Sequence, residues 1–167
     1  HTHGGYNFDV WNATSNEISK LANLMAANEG ITSFFATTVT QTPENISKAI
    51  LNIKKAAKEN KIIQGIHLEG PFVSQKFKGA QPANYIQKPD VSKLEYWNKI
   101  SNGFLKMITF APELENSAEI EDYCLKHGII PAGGHSNETR MQMKHSKVSH
   151  ITHLYNAQRE LSNLNQV

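Results

Sequence analysis

The sequence holds a single cysteine, Cys124, so no disulfide can form within the chain, and a reducing, cytoplasmic setting is expected. It also lacks any apolar run near the roughly 20 residues that a membrane-spanning helix needs. An excess of one charge is missing as well: 17 Lys and Arg face 15 Asp and Glu, a formal net charge of +2, which gives no basis for a nucleic-acid partner. The lysines that do cluster, Lys54, Lys55, Lys58 and Lys61, fall in a helical stretch and read as a solvated face. No G-x-S-x-G elbow, Walker A loop or G-x-G-x-x-G fingerprint occurs, so serine-nucleophile and nucleotide-binding readings lose their usual support. Cys124 falls within a helical pattern, a poor place for a nucleophile.

Helix-like and strand-like segments alternate along the 167 residues, enough for one domain with a core. Helices are expected over 16–29 with Asn16 as cap, over about 43–59 behind Thr42-Pro43-Glu44, and over 91–101 behind Asp90. Two more are expected over 115–127, stopped by Gly128, and over 138–146. Strands are expected at 31–35, 62–68, 105–110, 129–132 and 148–152, with a long irregular stretch from Gly70 to Pro89. Strands separated by helices imply βαβ units and a parallel sheet, whose ligands bind beyond the carboxyl ends of the strands.

Histidine is the residue present in excess, with eight copies. Several of them, with one acid, fall at those strand ends. His1 and His3 flank Thr2, and on an extended chain residues i and i+2 point to the same side, a two-nitrogen clamp for a transition metal. An isolated H-x-H is also what a tag remnant would leave. Glu69 closes an apolar strand just before Gly70-Pro71, a poor position for a surface charge, with His67 on the same face as a core or supporting histidine. His135 follows Gly133-Gly134, glycines that permit close backbone approach to a ligand. His153 ends the last strand, 18 residues further on, one helix and one strand away. Each alone is more often structural. Together they suit Zn²⁺, Fe²⁺ or Mn²⁺, with the carboxylate bridging where two ions bind, and so metal-assisted hydrolysis. His127, His145 and His150 have no such placement and read as structural.

The segments H-T-H-G, G-I-T-S-F-F-A-T-T-V-T-Q, G-I-H-L-E-G-P-F, K-F-K-G-A-Q, I-T-F-A-P-E, A-G-G-H-S-N and T-H-L-Y-N-A follow one another in the order of a known family. Together they resemble the N-acetylglucosamine-6-phosphate deacetylases of the amidohydrolase superfamily, from residue 1 to about 161. The resemblance implies an α/β fold, a (β/α)₈ TIM barrel covered only in part by residues 1–167 as a single domain. The last barrel strands and a flanking β-sandwich would lie outside it, since a complete barrel takes about 250 residues. It implies deacetylation of N-acetylglucosamine 6-phosphate to glucosamine 6-phosphate and acetate, a divalent metal cofactor, and a homodimer. Carried over residue by residue, Glu69, His135 and His153 match metal ligands, and His1 and His3 an optional second-metal pair. Ala80, Asn156 and Ala157 match substrate-contacting positions.

Departures from the family pattern accompany the match. The family's acid–base aspartate would follow Val167, leaving the catalytic residue unassigned and the 167 residues alone without it. Gln81 stands where the family often has a histidine near the sugar, and Leu164 falls where an arginine holds the phosphate, with Arg159 out of register. Two other readings therefore stand beside the first: an amidohydrolase for a different N-acyl or cyclic amide, and a non-catalytic metal-binding domain.

Overall fold

The structure, a computed structural model, describes residues 1–159. Four of the five α-helices among these residues start on a side-chain oxygen that accepts a backbone N–H of the first turn, as the free amides of a helix N-terminus require. Thr14 caps α1 (Ser15–Glu29), and Glu17 accepts in return from the Thr14 N–H at 2.8 Å. The expected cap, Asn16, lies inside the first turn, because this reciprocal pair begins the helix two residues earlier. Thr42 caps α2 (Pro43–Glu59), Asp90 caps α3 (Val91–Ser101), and Thr139 pairs with Gln142 to cap α5 (Arg140–His145). The fourth helix, α4 (Ser117–His127), starts after Asn116 without a side-chain cap and ends at Gly128 in the left-handed conformation.

Gly4–Gly5 (β1) and Phe8–Asp9 (β2) form a small antiparallel pair. The main sheet is five-stranded and parallel: β3 (Phe34–Thr37), β4 (Ile63–Glu69), β5 (Leu105–Phe110), β6 (Ile130–Gly133) and β7 (His150–Ile151), each beside the next. Sequential order without reversal is that of barrel staves, whereas a doubly wound sheet reverses at a switch point. The first strand begins three residues later than expected and includes Ala36 and Thr37. It starts where Phe34 pairs with Ile63, and its far end is met by Thr2, which bridges Ala36 in parallel and accepts the Thr37 N–H at 2.9 Å, so that His1-Thr2-His3 lies along β3. The last expected strand shortens to two residues.

Strand alternation divides the sheet chemically. Phe34, Ala36, Ile66, Leu68, Ile108 and Phe110 join the apolar core with the helices. Residues of the opposite parity, Thr37, His67, Glu69 and Thr109, are buried and polar. From α2, Ile46, Ile50 and Ile53 enter the core at helical spacing, and from α1 Ile18 and Leu21 do the same. The long connection after β4 is tied down by Phe72, which stacks on Trp97 of α3 with ring centroids 5.9 Å apart. Ser74 N–H in that connection also donates to the His135 carbonyl at 2.9 Å.

The connection from β6 to α5 packs on acids. Glu113 accepts from Ser136 Oγ at 2.7 Å and from Asn137 N–H at 2.6 Å, while Glu121 accepts from Ser146 Oγ at 2.5 Å. Burial and the charges of Glu113 and Glu121 push the Glu138 carboxyl up to about 7, and its Oε2 is buried without a hydrogen-bond partner among the described residues.

Two stability measurements check this packing. Ile50→Ala removes a fully buried side chain and is expected to lower unfolding free energy in urea by about 3 kcal/mol. Its neighbour Leu51, 51% exposed, is expected to tolerate alanine within about 0.5 kcal/mol. Glu138, with a folded pKa above its unfolded value, binds its proton more tightly in the folded state. Its contribution is complete below pH 4.5 and is lost as pH rises to about 7. Glu138→Gln is expected to flatten that limb of a stability–pH curve, by about 1 kcal/mol after allowance for solvent screening; an unchanged curve would refute the assignment.

Candidate metal centre

Glu69 is the last residue of β4, and its carboxylate is 2% exposed. Its two oxygens face different histidines. Oε1 lies 2.9 Å from His135 Nε2 and 3.6 Å from His153 Nε2. Oε2 lies 3.2 Å from His1 Nε2 and 3.5 Å from His3 Nε2. The paired imidazole nitrogens are themselves close, 3.3 Å between His1 and His3 and 3.0 Å between His135 and His153. Two groups of three ligand-type atoms thus share one carboxylate. Their spacings bracket the roughly 3.3 Å edge of a tetrahedron with metal–nitrogen bonds near 2.05 Å. Oε2 is buried and has no hydrogen-bond donor among the described residues. An orphaned carboxylate oxygen facing imidazole nitrogens is the chemistry of a cation site, so the residues fit the metal that the sequence predicts.

Burial pushes the Glu69 carboxyl up, but the close contact with His135, the longer 3.5 Å one with His3, and the charges of both hold it well below the usual carboxylate range, so it is anionic at neutral pH. His3 shows the complement: burial lowers it, and the hydrogen bond and charge of Glu69 bring it above its ordinary value.

Backbone carbonyls orient the inner pair. His135 Nδ1 lies 3.1 Å from the Phe77 carbonyl and His153 Nδ1 3.0 Å from the Asn156 carbonyl. Such carbonyls are the usual partners behind a ligating histidine; with Nδ1–H donating to each, Nε2 would present its lone pair to a bound metal, in place of the contact it makes with Glu69 here. Both histidines are in the left-handed backbone region, at φ 50° and 34°.

Below the centre, His67 Nε2 meets Thr109 Oγ1 at 2.6 Å, and Thr109 meets Thr152 Oγ1 at 2.7 Å. Burial pushes His67 down to about 3, so its ring is neutral. This chain explains Gly134, whose added Cβ would stand 2.8 Å from Thr109 Cγ2 and 3.1 Å from Thr152 Cβ. The close approach at Gly134 is therefore to protein side chains.

Of the residues expected near a substrate, Ala80 and Asn156 are exposed and Ala157 is half-buried. Gly79 packs beside both Ala157 and His135: a Cβ there would lie 3.2 Å from Ala157 Cβ and 3.5 Å from His135 Cε1. Leu164 lies outside the described residues. His127 stacks on Tyr123 in the last turn of α4, away from the centre, and burial pushes the Cys124 thiol up to about 12, too high for a nucleophile. Sequence reading missed Phe77 and Thr109, and it did not foresee the partner of Gln81 within the protein: Gln81 Nε2 donates to Glu69 Oε1 at 2.9 Å. Backbone acceptors leave no trace in side-chain patterns, whereas a glutamine twelve residues past a buried acid is a weak signal that spacing alone cannot interpret.

The sequence matches no protein-family model. It is 39% identical over 166 residues to the N-acetylglucosamine-6-phosphate deacetylase of Bacillus subtilis, covering 94% of this chain and 42% of that one. The crystal structure of N-acetyl-D-glucosamine-6-phosphate deacetylase from Mycobacterium smegmatis superposes with a TM-score of 0.88 at 28% identity, covering 94% of this chain and 42% of the other. A variant of that enzyme in complex with N-acetyl-D-glucosamine-6-phosphate superposes with the same score, identity and coverage. The five parallel staves are thus part of a TIM barrel. Along 94% of its own length the chain is homologous to N-acetylglucosamine-6-phosphate deacetylases, and it spans about 42% of theirs.

Proposed function

We propose that these residues carry the metal centre of a hydrolase that deacetylates N-acetylglucosamine 6-phosphate, water and the amide giving glucosamine 6-phosphate and acetate. The observation that carries this reading is the Glu69 carboxylate divided between His135 and His153 on one oxygen and His1 and His3 on the other. Glu69, His135 and His153 would hold one ion of Zn, Fe or Mn, and His1 and His3 with Oε2 a second. An ion held by these residues would lower the pKa of a bound water and polarise the amide carbonyl.

The chain's own residues prepare that chemistry. Glu69 supplies a fixed negative charge in a buried position. The Phe77 and Asn156 carbonyls aim the inner imidazoles. Ala80, Asn156 and Ala157 are proposed to contact the sugar from the connections that overhang the strand ends. Asp90 is spent on capping α3 and Asp122 on an ion pair with Lys147, so neither is free to move the proton to the leaving amine. That role is assigned to the aspartate expected after Val167. A cytoplasmic homodimer is the setting proposed for the full-length enzyme; no helix among the described residues is long and apolar enough to cross a membrane.

A second reading, an amidohydrolase for another N-acyl substrate, draws on Gln81, whose amide is engaged within the protein rather than free to meet a sugar. In the full-length protein, kcat/KM for N-acetylglucosamine 6-phosphate is expected to exceed that for N-acetylglucosamine at least ~100-fold, since a site built for a polar group rejects substrates lacking it. Equal values would favour the second reading. Glu69→Gln is expected to lower bound metal by elemental mass spectrometry and kcat/KM by more than ~100-fold, beyond the loss from removing a residue that merely supports a ligand. Full metal content in that variant would overturn the assigned ligand set.

A further inference from the structure

We propose that Gln81 is a positioning residue that sets the rotation of the Glu69 carboxylate and thereby completes the His1/His3 half of the centre; the proposal rests on the metal reading above. Gln81 is 4% exposed and makes two hydrogen bonds in opposite directions. Its Oε1 accepts the Thr40 N–H at 2.7 Å, and its Nε2 donates to Glu69 Oε1 at 2.9 Å. The amide cannot be turned over. A backbone N–H only donates and a carboxylate only accepts, so the flipped amide would set donor against donor and acceptor against acceptor.

The glutamine therefore links a fixed backbone atom, in the connection from β3 to α2, to one oxygen of a side chain whose last torsion is soft. With Oε1 held by Gln81 and His135, Oε2 has one direction left, towards His1 and His3. The two halves of the centre differ in what else supports them. His135 and His153 are braced by carbonyls at Nδ1, whereas His3 Nδ1 is buried without a hydrogen-bond partner among the described residues and the His1 and His3 side chains are 38% and 37% exposed. The outer half therefore depends more than the inner one on the aim of Oε2, and that aim is what Gln81 supplies.

The test is a Zn²⁺ titration of the full-length protein against a chromophoric chelator, for wild type and for Gln81→Met, which keeps the volume and removes both hydrogen bonds. Two ions are expected on wild type. In the variant the tighter event should stay within about threefold, and the weaker one should lose about 10- to 100-fold in affinity, the range for removal of a group that orients a ligand. An unchanged first event also shows that the variant is folded. Unchanged affinity for both ions would overturn the proposal, as would loss of both, which would mark Gln81 as a general structural support. A wild type that binds one ion would overturn it while leaving the inner centre intact. A wild type that binds none would overturn the metal reading and this proposal together.

Discussion

One buried negative charge organises the functional end of this fold. An isolated carboxylate moved into a protein interior is so costly that it is ordinarily protonated or paired. Glu69 is nearly as buried as the isoleucines behind it and still ionised. What keeps it so is a shell assembled from distant parts of the chain: Gln81 from the connection after β4, His135 from beyond β6, His153 from beyond β7, and His1 and His3 from the segment beside β3. Each must reach the same point, which requires strands in parallel register with their carboxyl ends level. The apolar face of the sheet provides that register, and the polar face uses it.

The sheet is therefore two materials in one. Ile66 and Leu68 point to the helices, and His67 and Glu69, one residue out of step, point the other way. A slip by one residue in β4 would bury Glu69 among apolar side chains and turn Leu68 to the centre, so the packing of α2 and α3 on the outer face also selects the chemistry of the inner one. The buried His67–Thr109–Thr152 chain does similar work laterally, joining β4, β5 and the end of β7 beneath the centre across a gap that Gly134 leaves open.

This division explains what could be read in advance. Caps at Thr42, Asp90 and Gly128, and apolar runs such as 105–110, are local signals, and the corresponding elements fall where the sequence puts them. The ligand-type residues were legible because strand ends are chemically conspicuous when they carry Glu or His. The supports were not. The Phe77 and Asn156 carbonyls belong to every residue type alike, and Gln81 acquires its role only when folding carries it back to Thr40 and Glu69. The starts of α1 and β3 were misplaced for a related reason: one depends on a reciprocal pair and the other on where pairing with Ile63 of β4 begins.

The backbone at His135 and His153 shows which demand prevails where stability and geometry conflict. A non-glycine residue in the left-handed region is disfavoured, and strained conformations of this kind cost of order 1 kcal/mol each. Glycine would relieve both positions but has no imidazole. The chain instead fastens these residues in place: the His135 carbonyl accepts from Ser74 N–H and the His153 carbonyl from Asn156 N–H, each at 2.9 Å. The same two turns bring the Phe77 and Asn156 carbonyls behind the rings. Strain, anchoring and ring orientation are thus one arrangement: an extended backbone at either residue would send its imidazole along the strand rather than back over Glu69. The protein tolerates two unfavourable φ angles because the alternative is a buried carboxylate without its partners, and that is the larger cost.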